Sequence, residues 1–341
     1  MAQRKSNANE AVFFTPDDSG ATLARTAGHK IFGHRETVLQ LEKQVAEQRT
    51  PHALLFSGPL GVGKRAVAQH LARKLLRAEN LEHHPDFFVV SLEEGKKDIP
   101  AETIRALISE LQLKPFHAAN NPAACRVAII DQAQRMSNAA ISALLKTLEE
   151  PTAHTHIILI SDSAHRLIET IISRCQLFHF GLLAKADLEN LLKSLLPEEK
   201  QISKALLQLL EGSVAPLNLG GLVNLRSLQL ENPKNISKHL IDLEAAVSDI
   251  ALQIDQFFKA NFSPTSCLRI STYLAQSKER LTLAWPLLRA KLREQFLSHD
   301  ARPISEVSYQ LVQTQQLIED RNAQAELQLN EFFLNTRTLL N

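Results

Sequence analysis

Gly58-Pro59-Leu60-Gly61-Val62-Gly63-Lys64-Arg65 constrains this chain more than any other segment. It follows the short apolar run Ala53–Ser57 and precedes a stretch in which Val67, Leu71 and Leu75 recur at four-residue steps. The first pattern predicts a strand buried on both faces and the second one face of a helix. Glycine is costly wherever a side chain could pack. Three of the eleven glycines nevertheless fall in this one loop. A glycine-rich loop between a buried strand and a helix lets backbone N–H groups point inward around a phosphate. The helix N-terminus adds partial positive charge, and Lys64 can reach phosphoryl oxygens. The plainer reading is a tight glycine turn.

The pattern around the loop predicts a parallel, doubly wound α/β sheet. Val38, Leu41 and Val45 outline a helix that ends before Thr50-Pro51. Further strands are predicted at Asp86–Ser91, Arg126–Asp131, His156–Ser161 and Gln176–Phe180. Between them, Ile104, Leu107, Ile108 and Leu111 mark a helix face. Ser137 is the expected N-cap of a helix that buries Ile141, Leu144, Leu145 and Leu148 and stops at Glu150-Pro151. Arg166–Cys175 reads as one short helix. After Gly181 the strand signals stop. Residues 182–236 read as short helices broken at Pro197, Gly212, Pro216 and Gly220-Gly221, and residues 237–341 as long leucine-striped helices. Trp285-Pro286 is expected to start or kink one of them. Residues 1–29 read as a mobile tail, with Val12-Phe13-Phe14 as a docking spot.

Two positions argue against working chemistry at the loop. Arg65 stands where a Ser or Thr hydroxyl would bind Mg²⁺. Asp131 ends a buried strand, the place for a carboxylate near that metal, but it is followed by Gln132 instead of a second acid. An amide cannot take a proton from water, and losing a general base costs about 10²–10⁴ in rate. Read alone, Asp131 is equally an N-cap or a surface acid.

His52–Lys64, His84-Pro85-Asp86, Ala143–Pro151 (A-L-L-K-T-L-E-E-P) and Ser173-Arg174-Cys175 occur in this order. Together they resemble the clamp-loader branch of the AAA+ ATPases, in its bacterial DNA polymerase III form. The likeness is strong over about residues 30–181, and beyond that only the helical layout agrees. It implies a RecA-like AAA+ P-loop domain over 30–181, a small helical lid over 182–236 and an all-α collar domain over 237–341 that oligomerises. It also implies a stator subunit that assists the loading of a sliding clamp on primed DNA. The partners implied are the gamma/tau and delta types of subunit, with the clamp engaged indirectly and primed DNA inside the complex. Arg174 would act in trans as an arginine finger for a neighbouring ATPase. By itself Arg174 is also a surface arginine at a helix C-terminus. The alternative is an ATP-hydrolysing, gamma/tau-like motor subunit. Gly58, Gly61, Gly63, Lys64 and Asp131 would form a vestigial or weak nucleotide site, with Arg65 and Gln132 as its degenerate positions.

Many relatives carry four zinc-binding cysteines between the P-loop helix and the second strand, whereas Leu71–Phe87 holds none. No zinc and no obligatory cofactor are therefore expected, and His83-His84 reads as a solvated pair. Gly212–Asn218 lacks an arginine to sense a γ-phosphate. Cys125, Cys175 and Cys267 are too dispersed for a disulfide framework, and Cys175 reads as a packed apolar residue. A net charge of +1 does not signal a dedicated basic nucleic-acid module. Lys278, Arg280, Arg289, Lys291 and Arg293 read as a solvated helix face, with a DNA-binding stripe as the second reading. No membrane span or secretory signal is legible, so a cytoplasmic protein, nucleoid-associated at replication forks, is expected.

Overall fold

A computed structural model describes residues 31–93, 95–116, 124–195, 202–214, 233–259, 263–296, 301–321 and 323–340. The expected N-terminal tail with Val12-Phe13-Phe14, Pro197, Pro216, Gly220-Gly221 and positions 215–218 of the lid segment lie outside these residues. The chain divides into two compact units, one ending at Ala184 and the other beginning at Lys185.

The first unit alternates helices and strands: α1 (Arg35–Ala46), β1 (Ala53–Ser57), α2 (Lys64–Leu76), β2 (Phe87–Val90), α3 (Ala101–Leu111) and β3 (Arg126–Ile130). α4 (Asn138–Glu149), β4 (Thr155–Ser161), α5 (Glu169–Ile172) and β5 (Gln176–His179) complete it. The strands form one sheet in the order β2-β3-β4-β1-β5, and every pairing is parallel. β1 and β3 are buried along their whole length, as their unbroken apolar runs require. The two-residue period of a strand then sorts the side chains onto two layers. Leu55, Ile130 and Leu159 face Ile104, Leu107 and Leu111 of α3 and Leu144 and Leu148 of α4. Leu54, Phe56, Ile129 and Ile158 face Leu41 of α1 and Val67 and Leu71 of α2. Each fully buried leucine of this kind contributes about 1.5–3 kcal/mol.

Ser137 caps α4 as its position predicts, its Oγ accepting a hydrogen bond from the Ala140 N–H at 3.2 Å. The expected single helix over 166–175 is corrected. A 3₁₀ turn at Ala164–Arg166 is followed by extended Leu167 and Ile168, and only then by the four-residue α5. The extended step sends Leu167 into the core beside Ile171, which an unbroken helix from Arg166 would not do.

The second unit is helical: α6 (Lys185–Leu195), α7 (Lys204–Leu210), α8 (Pro233–Lys259), α9 (Pro264–Ala275), α10 (Lys278–Phe296), α11 (Ala301–Arg321) and α12 (Ala325–Leu340). α7 and α8 pack on α10, and α9 and α11 pack on α12. Pro286 does not start a helix, because α10 runs from Lys278 through it. Trp285, Leu287 and Leu288 are buried around it, and that packing outweighs the missing backbone donor. The expected solvated face of α10 holds for Lys278 and Arg293, which are exposed, whereas the Lys291 side chain is only 18% exposed. Lys291 lies 2.7 Å from Asp255 and 3.2 Å from Glu294, and Arg293 lies 3.1 Å from Glu211. Arg289 donates to Gln315 at 2.9 Å, and Arg280 pairs with Gln276 over the Tyr273 ring. The partners belong to the same unit, in which α10 is buried throughout only at its middle, Leu283–Leu288. Among the described residues, no helix is long and apolar enough to cross a membrane.

Candidate functional site

Parallel strands deliver their carboxyl ends to one edge of the sheet, and ligand sites of open α/β sheets form there. In this unit β3, β4 and β1 are neighbours, so Asp131, Asp162 and the loop 58–63 come together. The loop keeps its path through glycine. Gly61 and Gly63 adopt φ of 74° and 99°, which side chains disfavour. Gly58 has a different reason: a Cβ there would stand 2.0 Å from the backbone oxygen of Phe180, at the end of β5. Part of the glycine signal is therefore close packing of the sheet. His34, just before α1, also reaches the loop, its Nε2 lying 2.8 Å from the Val62 carbonyl oxygen.

Lys64 begins α2 and is 5% exposed. Its Nζ donates to the carbonyl oxygens of Gly58 and Pro59, at 2.5 and 2.6 Å, and lies 4.0 Å from Asp162. Burial pulls its pKa below the ordinary lysine value, opposed by the charges of Asp162 and Asp131. Asp162 also accepts a hydrogen bond from the Gln134 side-chain amide at 2.9 Å. The sequence reading missed Asp162. Its signal was its place directly after an apolar strand, the same signal that marked Asp131.

Arg65 turns toward the acid. Its NH1 lies 3.3 Å from Asp131 Oδ2, with both side chains 18% exposed. The other oxygen, Oδ1, accepts the backbone N–H of Gln132 at 2.9 Å. Gln132 itself sits in the left-handed region at φ 54°, beside Asp131 as its position predicts. These residues do not fit Mg²⁺ bound in the manner of a P-loop. The hydroxyl ligand is replaced by a cation, and that cation engages the carboxylate the metal would need.

Arg174 forms a second place of interest. It follows α5, and its side chain is 34% exposed. Its NH2 lies 2.7 Å from Glu149 Oε1, and its NH1 donates to the Thr170 carbonyl oxygen at 2.9 Å and to Ser173 Oγ at 3.3 Å. Glu149 is the last residue of α4 and belongs to the A-L-L-K-T-L-E-E-P segment, so two distant motifs meet in one ion pair. Spacing gave no sign of that partner. The neighbouring Cys175 packs against the core below, and burial pushes its thiol up to about 12, so it does not act as a thiolate. Burial likewise pushes Cys125 up to about 11, with the charge of Asp86 adding to it. Among the described residues, no group of three or more His, Cys, Asp or Glu is placed to hold a metal ion. His84 Nδ1 instead accepts the backbone N–H of Asp86 at 3.2 Å.

Comparison with known proteins finds likenesses over the first unit. The model of a family described as DNA polymerase III, delta subunit, matches residues 33–184. The DNA polymerase III subunit delta' of Pseudomonas aeruginosa is 36% identical over 179 residues, which are 48% of this chain and 53% of that protein. A replication factor C small subunit of Staphylothermus marinus is 35% identical over 171 residues, 50% of this chain and 49% of that protein. The DNA polymerase III subunit gamma of Buchnera aphidicola is 28% identical over 177 residues, 50% of this chain and 49% of that protein. The chain thus spans about half the length of the curated relatives it matches. Through its α/β unit, residues 33–184, the chain is similar to clamp-loader subunits of the DNA polymerase III and replication factor C kinds.

Proposed function

We propose that this chain is a delta-prime-like stator subunit of a replicative clamp loader. It assists the loading of a sliding clamp on primed DNA at replication forks, and it donates Arg174 to the ATP site of a neighbouring subunit. Its partners are subunits of the gamma/tau and delta types. The helical residues after 181 serve as lid and collar. One observation carries the reading: the Arg174 guanidinium is anchored on Glu149 and Thr170 yet 34% exposed. A guanidinium fixed by its own chain and open to solvent is prepared to meet phosphoryl oxygens from outside. Arg65 on Asp131 and the amide of Gln132 support the complementary half, that the chain does not hydrolyse ATP itself and needs no metal or cofactor of its own.

The purified chain is expected to show negligible steady-state Mg-ATP hydrolysis. Turnover near one per second, inside the usual enzyme range, would replace the stator with a motor subunit. The same preparation, mixed with gamma/tau- and delta-type subunits, is expected to enter a stable complex on a sizing column.

A further inference from the structure

We propose that Arg65 is a resident cation in the metal's place, and that beneath it lies a latent magnesium–nucleotide site which one substitution opens. The inference deepens the non-hydrolysing reading above and rests on it for the identity of the loop. Its evidence is the disposition of charge at the sheet edge. The Asp131 carboxylate, which would face a divalent metal, already has a partner on each oxygen: Arg65 NH1 at 3.3 Å on Oδ2 and the Gln132 N–H at 2.9 Å on Oδ1. The guanidinium thus brings its positive charge to the oxygen that a metal would use. A divalent ion placed between it and Asp131 would meet like charge in a part-buried setting where screening by salt is weak.

The remainder of the loop is built for phosphate. Gly61 and Gly63 keep the left-handed backbone, and nothing lies within 4 Å of where a Gly63 Cβ would stand. Lys64 is held at the loop by two of its carbonyl oxygens. The defect at the metal is thus one side chain, and the glycines, the lysine and the acid around it are in position. A threonine at 65 would supply the hydroxyl a P-loop offers to Mg²⁺ and would release Asp131 Oδ2.

The test is equilibrium binding of a fluorescent ATP analogue, in Mg²⁺ and in EDTA, to the full chain and to Arg65→Thr. Mn²⁺ binding in the presence of ATP, followed by paramagnetic resonance, is the second readout. For the unmodified chain, exchanging EDTA for Mg²⁺ is expected to leave nucleotide affinity unchanged, with no protein-dependent Mn²⁺ signal. Arg65→Thr is expected to bind at least about tenfold tighter in Mg²⁺ than in EDTA, the scale on which supporting groups alter metal affinity. Metal-dependent binding by the unmodified chain would overturn the proposal. So would a folded Arg65→Thr protein indifferent to Mg²⁺. Arg65→Ser guards against misfolding of the threonine variant, because it supplies the same hydroxyl and releases Asp131 without a β-branched side chain in the helix. It should gain a Mn²⁺ signal, and its failure to do so counts equally against the proposal. These experiments read binding, whereas the stator reading stands or falls on turnover by partner subunits, so the two can fail separately.

Discussion

Arg174→Ala, assembled with its partner subunits, is expected to lower their clamp- and DNA-stimulated ATP hydrolysis by about 10³-fold or more, the range in which an arginine finger acts. Arg174→Lys should do nearly as badly. A lysine ammonium is a single point of charge, whereas the guanidinium is a planar fork that can remain on Glu149 while contacting phosphoryl oxygens. Neither change should unfold the chain. The Arg174–Glu149 pair is open to solvent on both sides, and exposed pairs contribute at most about 1 kcal/mol. The measurement is turnover and clamp loading by the rebuilt complex, after sizing has shown that it assembles. Unchanged rates in an assembled complex would remove Arg174 from the mechanism. A complex that no longer assembles would make it an interface residue instead.

Asp86→Ala is expected to destabilise the first unit by about 3–5 kcal/mol, the usual consequence of removing one partner of a buried ion pair. Asp86 is 2% exposed. One of its oxygens lies 3.2 Å from Arg126 Nε, and the carboxylate accepts the Phe116 N–H at 2.9 and 3.1 Å. Arg126, also buried, donates to the carbonyl oxygens of Glu110 at 2.7 Å and Lys114 at 3.2 Å, and lies over the Phe88 ring. The pair therefore ties the approach to β2, the start of β3 and the C-terminal end of α3 into one knot. Without the carboxylate, a buried guanidinium keeps its carbonyl partners and, as counter-charge, only the more exposed Glu110 carboxylate at 3.4 Å. Asp86→Asn, which keeps an acceptor for Phe116, should lose less. Asp86→Leu combined with Arg126→Met should recover much of the loss, because it removes both charges together. Urea unfolding would read these values as shifts of the midpoint at constant slope. A loss below 1 kcal/mol for Asp86→Ala would mean that Arg126 finds another partner.

The His84-Pro85-Asp86 segment shows what the residues alone could and could not tell. As a string it contributed only to a family resemblance. In the fold its acid is a structural anchor, met by an arginine 40 positions later in the chain. β1, β3 and β4 were legible from the apolar runs at their centres, which strands buried on both faces require, and Ser137 because a cap acts within one turn. Arg65 was legible as a misfit, but which way it turned was not. Its partner Asp131 reaches it only through the order of the sheet. Glu149 and Arg174 meet for a similar reason, through the packing of α4 on α5. The cations of α10 were legible as a wet face at Lys278 and Arg293, but the partners of Lys291 and Arg289 were not, because alternation with leucine and glutamate does not say what a cation meets. Periodicity gives the direction of a side chain, and the identity of what it meets is settled by elements far away in sequence.

The position of Lys64 gives the loop a chemical clock. An amine held by two carbonyl oxygens and 5% exposed is hidden from an acylating reagent in solution, whereas Lys43 on α1, with its side chain 75% exposed, is open to it. Burial lowers the Lys64 pKa only while the loop holds it, so once the loop lets go the amine regains ordinary lysine surroundings and can be compared directly with Lys43. The lag between modification of Lys43 and of Lys64 therefore times the opening of the loop. It does so in the intact chain, with no label added.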